Sequence, residues 1–197
     1  MLTREARAGD DIKALADLSQ ALVRPQAQAM ERHAVLVEND TLTLTADGVS
    51  HDLQLAGREV FKVSLTRGDM GSLHDRVFIG QFMRLGCVCN FDTIDASRQS
   101  ELDELHLHFR KLKSSADRAK DAYLGTPFPF SRSWSLSLYH LLMLLERATD
   151  SETFSRELQR TRRMTTERKD LYAEYAFALE LEKHRATAPT PEPTSSG

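Results

Sequence analysis

The fold class is decided by residues 101–123, which read ELDELHLHFRKLKSSADRAKDAY. Apolar side chains recur in this stretch at alternating intervals of three and four residues, which aligns them along one side of an α-helix. This apolar seam consists of Leu102, Leu105, Phe109, Leu112, Ala116, Ala119 and Tyr123. A seam sustained over three heptads predicts a long helix of the bundle or coiled-coil type, with the seam buried against its neighbours.

The N-terminal segment is also predicted to be helical. Apolar positions in residues 12–23 recur at helical spacing, and Asp10 and Asp11 precede them, where carboxylates favour the start of a helix. Pro25 is poorly tolerated in a helix interior, so this helix is expected to end or kink near Val23.

Three more helices are predicted around and beyond the central seam. Residues 75–85 are apolar nearly all round and should form a buried helix that Gly86 ends. Residues 134–148 repeat the spacing of three and four. A last helix is expected from residue 151 to about His184, and its seam is polar in the middle third.

The hydrophobic pattern changes to a period of two between residues 34 and 66. Alternating threonine and leucine is typical of a half-buried strand, and Asp47-Gly48 is a strong signal for a hairpin turn. Three or four antiparallel strands in a small β-meander are therefore expected. The candidate strands are residues 35–37, 41–45, 49–55 and 61–66.

Together these patterns predict a predominantly helical α+β protein. A small N-terminal antiparallel β-meander should pack against, or be followed by, a helical bundle with heptad-like seams. The last residues, ATAPTPEPTSSG, cannot build a core and are expected to be disordered. The predicted segments are an N-terminal helix at residues 1–33, the meander at 34–66, the bundle at 67–185 and the tail at 186–197.

The composition is that of an ordinary globular chain. A net charge of -3 at pH 7 argues against a general polyanion binder. The longest apolar run, residues 136–145, is too short for a transmembrane segment, and the N-terminus lacks the apolar stretch of a secretory signal. Cys87 and Cys89 are too close for an ordinary disulfide, so we expect an intracellular, reducing compartment, either the cytoplasm or an organelle matrix.

One stretch carries a local excess of positive charge. Its basic residues are Arg156, Arg160, Arg162, Arg163, Arg168 and Lys169. Arg156, Arg160 and Arg163 share one face of a helix, and side chains in this arrangement can follow the phosphates of a nucleic acid. Alternatively, the arginines contact a partner protein or pair with carboxylates such as Glu101 and Glu104. Aromatic residues for base stacking are not interleaved with them, which favours the second reading.

Two residue pairs carry side chains that can bind zinc, namely Cys87 with Cys89 and His106 with His108. Their spacing differs from that of zinc fingers and ribbons. Residues two apart on a regular helix point in nearly opposite directions, so the two histidines should not face one ion. No metal and no cofactor is therefore expected.

The sequence contains no complete catalytic signature. His74-Asp75 is the only compact pair of a histidine and a carboxylate near a cysteine, and no glycine-rich phosphate loop is present. We therefore expect a non-enzymatic interaction or structural subunit of a larger intracellular protein assembly, which binds protein partners or copies of itself through helical surfaces. The alternative is a nucleic-acid-associated protein that uses the arginine-rich helix at residues 156–169.

Overall fold

The computed structural model describes residues 2–120, 130, 132–163 and 170–187. It is a mainly helical α+β protein with two small sheets, which confirms the predicted fold class. The chain divides into two compact units, Met1–Tyr139 and His140–Gly197. Among the helices of the described residues, none has the length and the apolar composition needed to span a membrane.

Helices and strands alternate along the chain. The α-helices are α1 (Arg4–Arg7), α2 (Asp11–Leu18), α3 (Arg24–Asn39), α4 (Arg76–Val88), α5 (Gln99–Arg118), α6 (Leu138–Leu145), α7 (Ser151–Arg163) and α8 (Leu171–Thr187). The strands are β1 (Thr41–Ala46), β2 (Val49–Gln54), β3 (Lys62–Thr66) and β4 (Ser133–Ser137). A π-helical turn covers Ser19–Val23, and short 3-10 helices cover Gly71–His74 and Ala96–Arg98.

The first long helical segment begins where the sequence predicts. The backbone N–H of Lys13 donates to Oδ1 of Asp10 at 3.0 Å, so this carboxylate caps the start of α2. Near Val23 the structure has a five-residue π-helical turn, after which the chain continues into α3. Pro25 lies in the first turn of α3, where the N–H that proline lacks is not needed for the helix.

The predicted seam of α5 forms the centre of the first unit. Leu102, Leu105 and Leu112 are at most 1% exposed, and α5 packs against α2, α3 and α4. Phe109, Ala116 and Ala119 are buried with them. The prediction of a buried seam is confirmed for these positions, whereas Tyr123 lies outside the described residues.

The expected end of α4 at Gly86 is wrong, because the helix continues to Val88. Gly86 is buried inside the helix, and a Cβ atom at this position would overlap the ring of Phe109. Glycine is therefore required here by the close approach of α5 and not by a helix terminus.

The predicted meander is only partly present. β1 and β2 pair antiparallel, and the turn between them has positive φ at Asp47 (51°) and Gly48 (77°), as a tight hairpin turn requires. Residues 35–37 are not a strand but the last turns of α3. Helical spacing buries Met30 and Ala34 of the same helix, and this packing outweighs the β-propensity of the two valines.

The expected helix at residues 134–148 is also wrong in its first part. Residues 133–137 form β4, which pairs in parallel with β3, with Val63 opposite Trp134 and Leu65 opposite Leu136. The stretch SWSLS alternates serine with large apolar residues, which is a period of two that favours a strand. Strands are therefore not confined to residues 34–66.

The segment from residue 151 onward forms two helices, α7 and α8, where the sequence predicts one. α7 and α8 pack against each other, and residues 164–169 between them lie outside the described residues. α8 runs to Thr187, two residues into the segment that is predicted to be disordered, and the remainder of that segment is likewise not described.

Candidate functional site

The arginine-rich stretch is only partly described. Arg156 and Arg160 lie on α7, where Arg156 is exposed and Arg160 is half-buried. Arg162 and Arg163 belong to the same helix, but their side chains lie outside the described residues, as do Arg168 and Lys169 altogether. Of the predicted common face of Arg156, Arg160 and Arg163, the structure thus describes the side chains of Arg156 and Arg160.

Arg160 is held by carboxylates of its own unit. Its guanidinium donates to Glu182 on α8 at 2.7 and 2.9 Å and also to Glu157 on α7. Glu157 is buried and accepts a hydrogen bond from the hydroxyl of Tyr175 at 2.5 Å. Burial alone would raise the pKa of Glu157, but the hydrogen bond from Tyr175 and the ion pair with Arg160 lower it. Arg160 therefore neutralises a buried carboxylate and joins α7 to α8.

The β1–β2 hairpin has one apolar face. Residues paired across an antiparallel ladder project to the same side, so Leu42 lies beside Leu53, Leu44 beside His51, and Ala46 beside Val49. We call this surface the hairpin face. Leu44, Val49 and Leu53 are 38%, 55% and 43% exposed, respectively.

The opposite side of the hairpin is polar and is exposed as well. The Thr43 hydroxyl donates to Oδ1 of Asp52 at 2.6 Å, and the hydroxyls of Thr45 and Ser50 lie 3.0 Å apart. Both faces of this sheet are thus in contact with solvent. An amphipathic hairpin normally packs its apolar face on a core, and this one does not.

The hairpin is anchored at its base and is acidic. Asp40 adopts a left-handed conformation with φ 58° at the end of α3, where its carbonyl accepts the N–H of Leu55 and its carboxylate accepts the N–H of Ala56. Residues 40–55 contain Asp40, Asp47 and Asp52 but no lysine or arginine. Asp40 at the base and Asp47 in the turn therefore place negative charge at the two ends of the hairpin, whereas Asp52 lies on the polar side.

The second sheet differs from the hairpin, since its polar face is buried beneath α3 and the apolar side chains Trp134 and Leu136 of β4 are buried as well. Lys62, Ser64, Ser135 and Ser137 are at most 5% exposed. Gln26 of α3 donates to Oγ of Ser64 at 2.9 Å and to the backbone carbonyl of Trp134 at 2.5 Å. Three buried polar atoms, Oε1 of Gln26 and the hydroxyls of Ser133 and Ser135, have no hydrogen-bond partner within the described part of the chain.

The charges near this buried face are strongly perturbed. Burial, together with the guanidinium of Arg132, lowers the pKa of Lys62 to about 8. Burial and the positive charges of Lys62 and Arg132 lower the pKa of His33 on α3 to about 4. His33 is therefore neutral near pH 7.

The histidine and carboxylate that meet near α4 are not the pair expected from the sequence. Asp75 accepts the N–H of Phe78 at 2.8 Å and so caps α4. Asp69 instead lies with its Oδ1 3.2 Å from Nδ1 of His74, and Nε2 of His74 lies 2.8 Å from the hydroxyl of Thr66. A hydroxyl, an imidazole and a carboxylate thus follow one another, the order in which a histidine base activates a nucleophile.

The hydrogen bonds around His74 favour a structural role for this chain of groups. The N–H of Met70 lies 3.1 Å from Nδ1 of His74, and Oδ1 of Asp69 lies 3.2 Å from the same nitrogen, so that both groups compete for it. The Thr66 hydroxyl donates to the carbonyl of Gly68 at 2.8 Å. Burial lowers the pKa of His74, although Asp69 opposes this shift. In this arrangement the proton of Thr66 points to the backbone and not to the imidazole.

The two histidines of α5 face different neighbours, as the helical geometry predicts. Nε2 of His106 accepts the N–H of Phe91 at 3.1 Å, whereas Nδ1 of His108 lies 3.0 Å from the hydroxyl of Ser19. Cys87 and Cys89 are free thiols, and burial raises the pKa of Cys87 to about 11.

Sequence reasoning missed the exposed hairpin face and the buried polar face of the second sheet, because alternation shows that a strand has an apolar and a polar side but not which side is covered. The absence of lysine and arginine from residues 40–55 was an available signal for the acidic character of the hairpin.

No protein-family model, no curated protein and no solved structure matches this chain.

Proposed function

We propose that this chain is a non-enzymatic subunit that binds a partner protein through the hairpin face. The observation that carries the proposal is the exposure of Leu44, Val49 and Leu53 on one side of the β1–β2 sheet. Scattered exposed leucines are common, but here three large apolar side chains are gathered on one regular surface.

The energetics of the hairpin support a partner. A two-stranded hairpin is only marginally stable in water, and packing on its apolar face is what ordinarily stabilises it. The helical seam of α5 cannot serve this purpose, because it is already buried in the core of its own unit. We expected contacts through helical surfaces, and the hairpin face is now the better-supported surface.

The charge around the hairpin indicates the chemistry of the partner. Asp40 and Asp47, at the two ends of the hairpin, favour a segment that carries lysine or arginine beside its apolar residues. Among the described residues, the hairpin sheet has only two strands, so both of its outer edges are available for main-chain hydrogen bonds. We therefore propose an extended, basic segment of another protein. A second copy of this acidic hairpin would be repelled.

The alternative function, nucleic-acid binding through residues 156–169, has less support. Arg160, one of the three arginines that would contact phosphates, pairs with Glu157 and Glu182.

The free thiols of Cys87 and Cys89 support our further proposal that the protein works in a reducing compartment.

The proposal can be tested by photo-cross-linking in the cell of origin. A photoreactive amino acid replaces Leu44, which lies on the hairpin face, and in a second variant it replaces the neighbouring Thr43, which lies on the polar side. We expect the Leu44 variant to capture one defined protein, at a segment rich in apolar and basic residues. The Thr43 variant should capture much less of it.

Three outcomes would contradict the proposal. They are equal capture from both faces, capture of a second copy of this chain, and capture of nothing above background. A purified complex gives a further check. Its affinity should fall with rising salt, and the double substitution of Leu44 and Leu53 by serine should abolish it while the circular dichroism of the protein stays unchanged.

A further inference from the structure

A cavity of about 400 Å³ lies between the C-terminal end of α4 and the middle of α5. This volume falls in the range of small-molecule sites. The side chains that decide its chemistry are Cys87, Cys89, Asp92, Phe109, Arg110 and Lys113. All of them belong to the first unit, and the hairpin face does not contribute to the cavity.

Two positive charges line the cavity side by side. Arg110 and Lys113 are three residues apart on α5, so their side chains project from the same face of the helix. Other cations nearby are neutralised: Arg118 at the end of the helix pairs with Glu38 at 2.6 Å, and Arg98 before its start pairs with Asp10 at 2.9 Å. Within the described residues, neither Arg110 nor Lys113 takes part in an ion pair.

The remaining polar groups of the lining are the Asn90 amide, the His106 imidazole and one carboxylate. Nε2 of His106 accepts the N–H of Phe91, so in the neutral imidazole the proton lies on Nδ1 and can be donated. Burial raises the pKa of the Cys87 thiol to about 11, and this thiol is therefore uncharged. Asp92 is the only carboxylate among the lining residues, and Asp117 lies close by, so the positive charge is confined to the part of the cavity beside Arg110 and Lys113.

The aromatic wall of the cavity is fixed in position. The ring of Phe109 stacks on Phe91 at a centroid distance of 5.7 Å and an interplanar angle of 18°, and it fills the space above Gly86. A phosphate group occupies only a small part of the cavity. The ring of Phe109 is only 3% exposed, so an uncharged organic group in the rest of the cavity would pack mainly against Val88 and the thiol of Cys87.

We propose that this cavity binds a small phosphomonoester, whose phosphate lies between Arg110 and Lys113 and whose organic part packs against Val88 and Cys87. Two adjacent cations match the charge of a phosphate dianion better than that of a monovalent carboxylate. The inference is independent of the proposed function, because the hairpin face and the cavity share no residue.

The first experiment compares four probes on the full chain by isothermal titration calorimetry. They are inorganic phosphate, a hexose phosphate, the unphosphorylated hexose and the hexose carboxylate. We expect the hexose phosphate to bind most tightly, inorganic phosphate and the carboxylate to bind more weakly, and the hexose not to bind. Equal affinity for inorganic phosphate and the hexose phosphate would overturn the organic part of the proposal, and binding of neither would overturn all of it.

Charge variants of α5 provide matched controls. Arg110→Gln and Lys113→Gln should each weaken binding of the hexose phosphate about fivefold, the upper end of the effect of an exposed ion pair. Lys111→Gln removes the same charge from the same helix but lies outside the cavity, so it should change the affinity much less. Asp92→Asn should strengthen binding. Equal losses in the Lys111 and Lys113 variants would reduce the effect to general electrostatics and contradict the proposal.

Alkylation of Cys89 supplies a readout that does not depend on charge. This thiol is exposed and lines the cavity, whereas the raised pKa of Cys87 makes the latter slow to react. Saturating hexose phosphate should slow alkylation of Cys89 several-fold in the wild type, and not in the Arg110→Gln, Lys113→Gln double variant. Unchanged alkylation in the presence of bound ligand would place the ligand elsewhere.

Discussion

The two small sheets of this protein differ in how much of each face is covered. In β1–β2 the leucines face solvent, while in β3–β4 a lysine and several serines face the interior. The buried polar face is tolerated because α3 lies over it and Gln26 supplies hydrogen bonds. The exposed apolar face has no such cover. The alternation of apolar and polar residues along a strand therefore specifies two different faces, and the neighbouring elements decide which of them is buried.

The largest expected difference concerns one leucine from each sheet. Leu136 of β4 is 2% exposed, so Leu136→Ala should lower the free energy of unfolding by about 3 kcal/mol. Leu44→Ala on the hairpin should lower it by less than about 0.5 kcal/mol. Urea denaturation of both variants measures the difference. Equal losses would show that the hairpin face is packed in the isolated protein.

A smaller effect is expected for the amide that covers the buried polar face. Gln26→Ala removes the donor to Ser64 and Trp134 and should lower the free energy of unfolding by about 2 kcal/mol. Gln28 lies on the exposed side of the same helix, so Gln28→Ala is the matched control and should be nearly neutral. If both variants behave alike, the cover provided by α3 is not important for stability.

The buried sheet should also make stability depend on pH. The pKa of His33 is about 4 in the folded protein and 6.5 as its ordinary value, so the unfolded chain binds more protons between these limits. The free energy of unfolding should fall by roughly 2–3 kcal/mol as the pH decreases from 6.5 to 4. His33→Gln should reduce this dependence, as measured by urea denaturation at the two pH values. The same dependence in the variant and the wild type would contradict the assignment.

The smallest expected effect has the opposite sign. The Ser135 hydroxyl is buried without a hydrogen-bond partner among the described residues, so Ser135→Ala removes a desolvated polar group. The variant should be as stable as the wild type or more stable by up to about 1 kcal/mol. A clear loss of stability, measured by thermal unfolding, would mean that an ordered water or another group satisfies this hydroxyl.

Local signals in the sequence were reliable where the structure depends on local chemistry. The seam of α5 and the Asp47-Gly48 turn were predicted correctly, because each depends on residues close together in the chain. The cap at Asp10 was predicted for the same reason.

The remaining features depend on residues far apart in the chain. The alternation in β4 is local, but the strand needs a partner, and that partner is β3, about 70 residues earlier. The interior position of Gly86 reflects its contact with Phe109 on another helix. In the arginine-rich stretch, the carboxylate of Glu182 that pairs with Arg160 lies 22 residues away. Neither spacing nor composition specifies such pairings.

The pairing of β3 with β4 also has a consequence for how the protein folds. Joining Ser64 to Trp134 closes a loop of 70 residues, and contacts of such long range are entropically costly to form early. The helical core around α5 can assemble before this sheet does. Trp134 is the only tryptophan in the chain, and its ring meets Phe61 edge-on at 5.4 Å. In a stopped-flow refolding experiment, the fluorescence of Trp134 therefore reports the closure of this sheet. The circular dichroism signal of the helices should appear earlier.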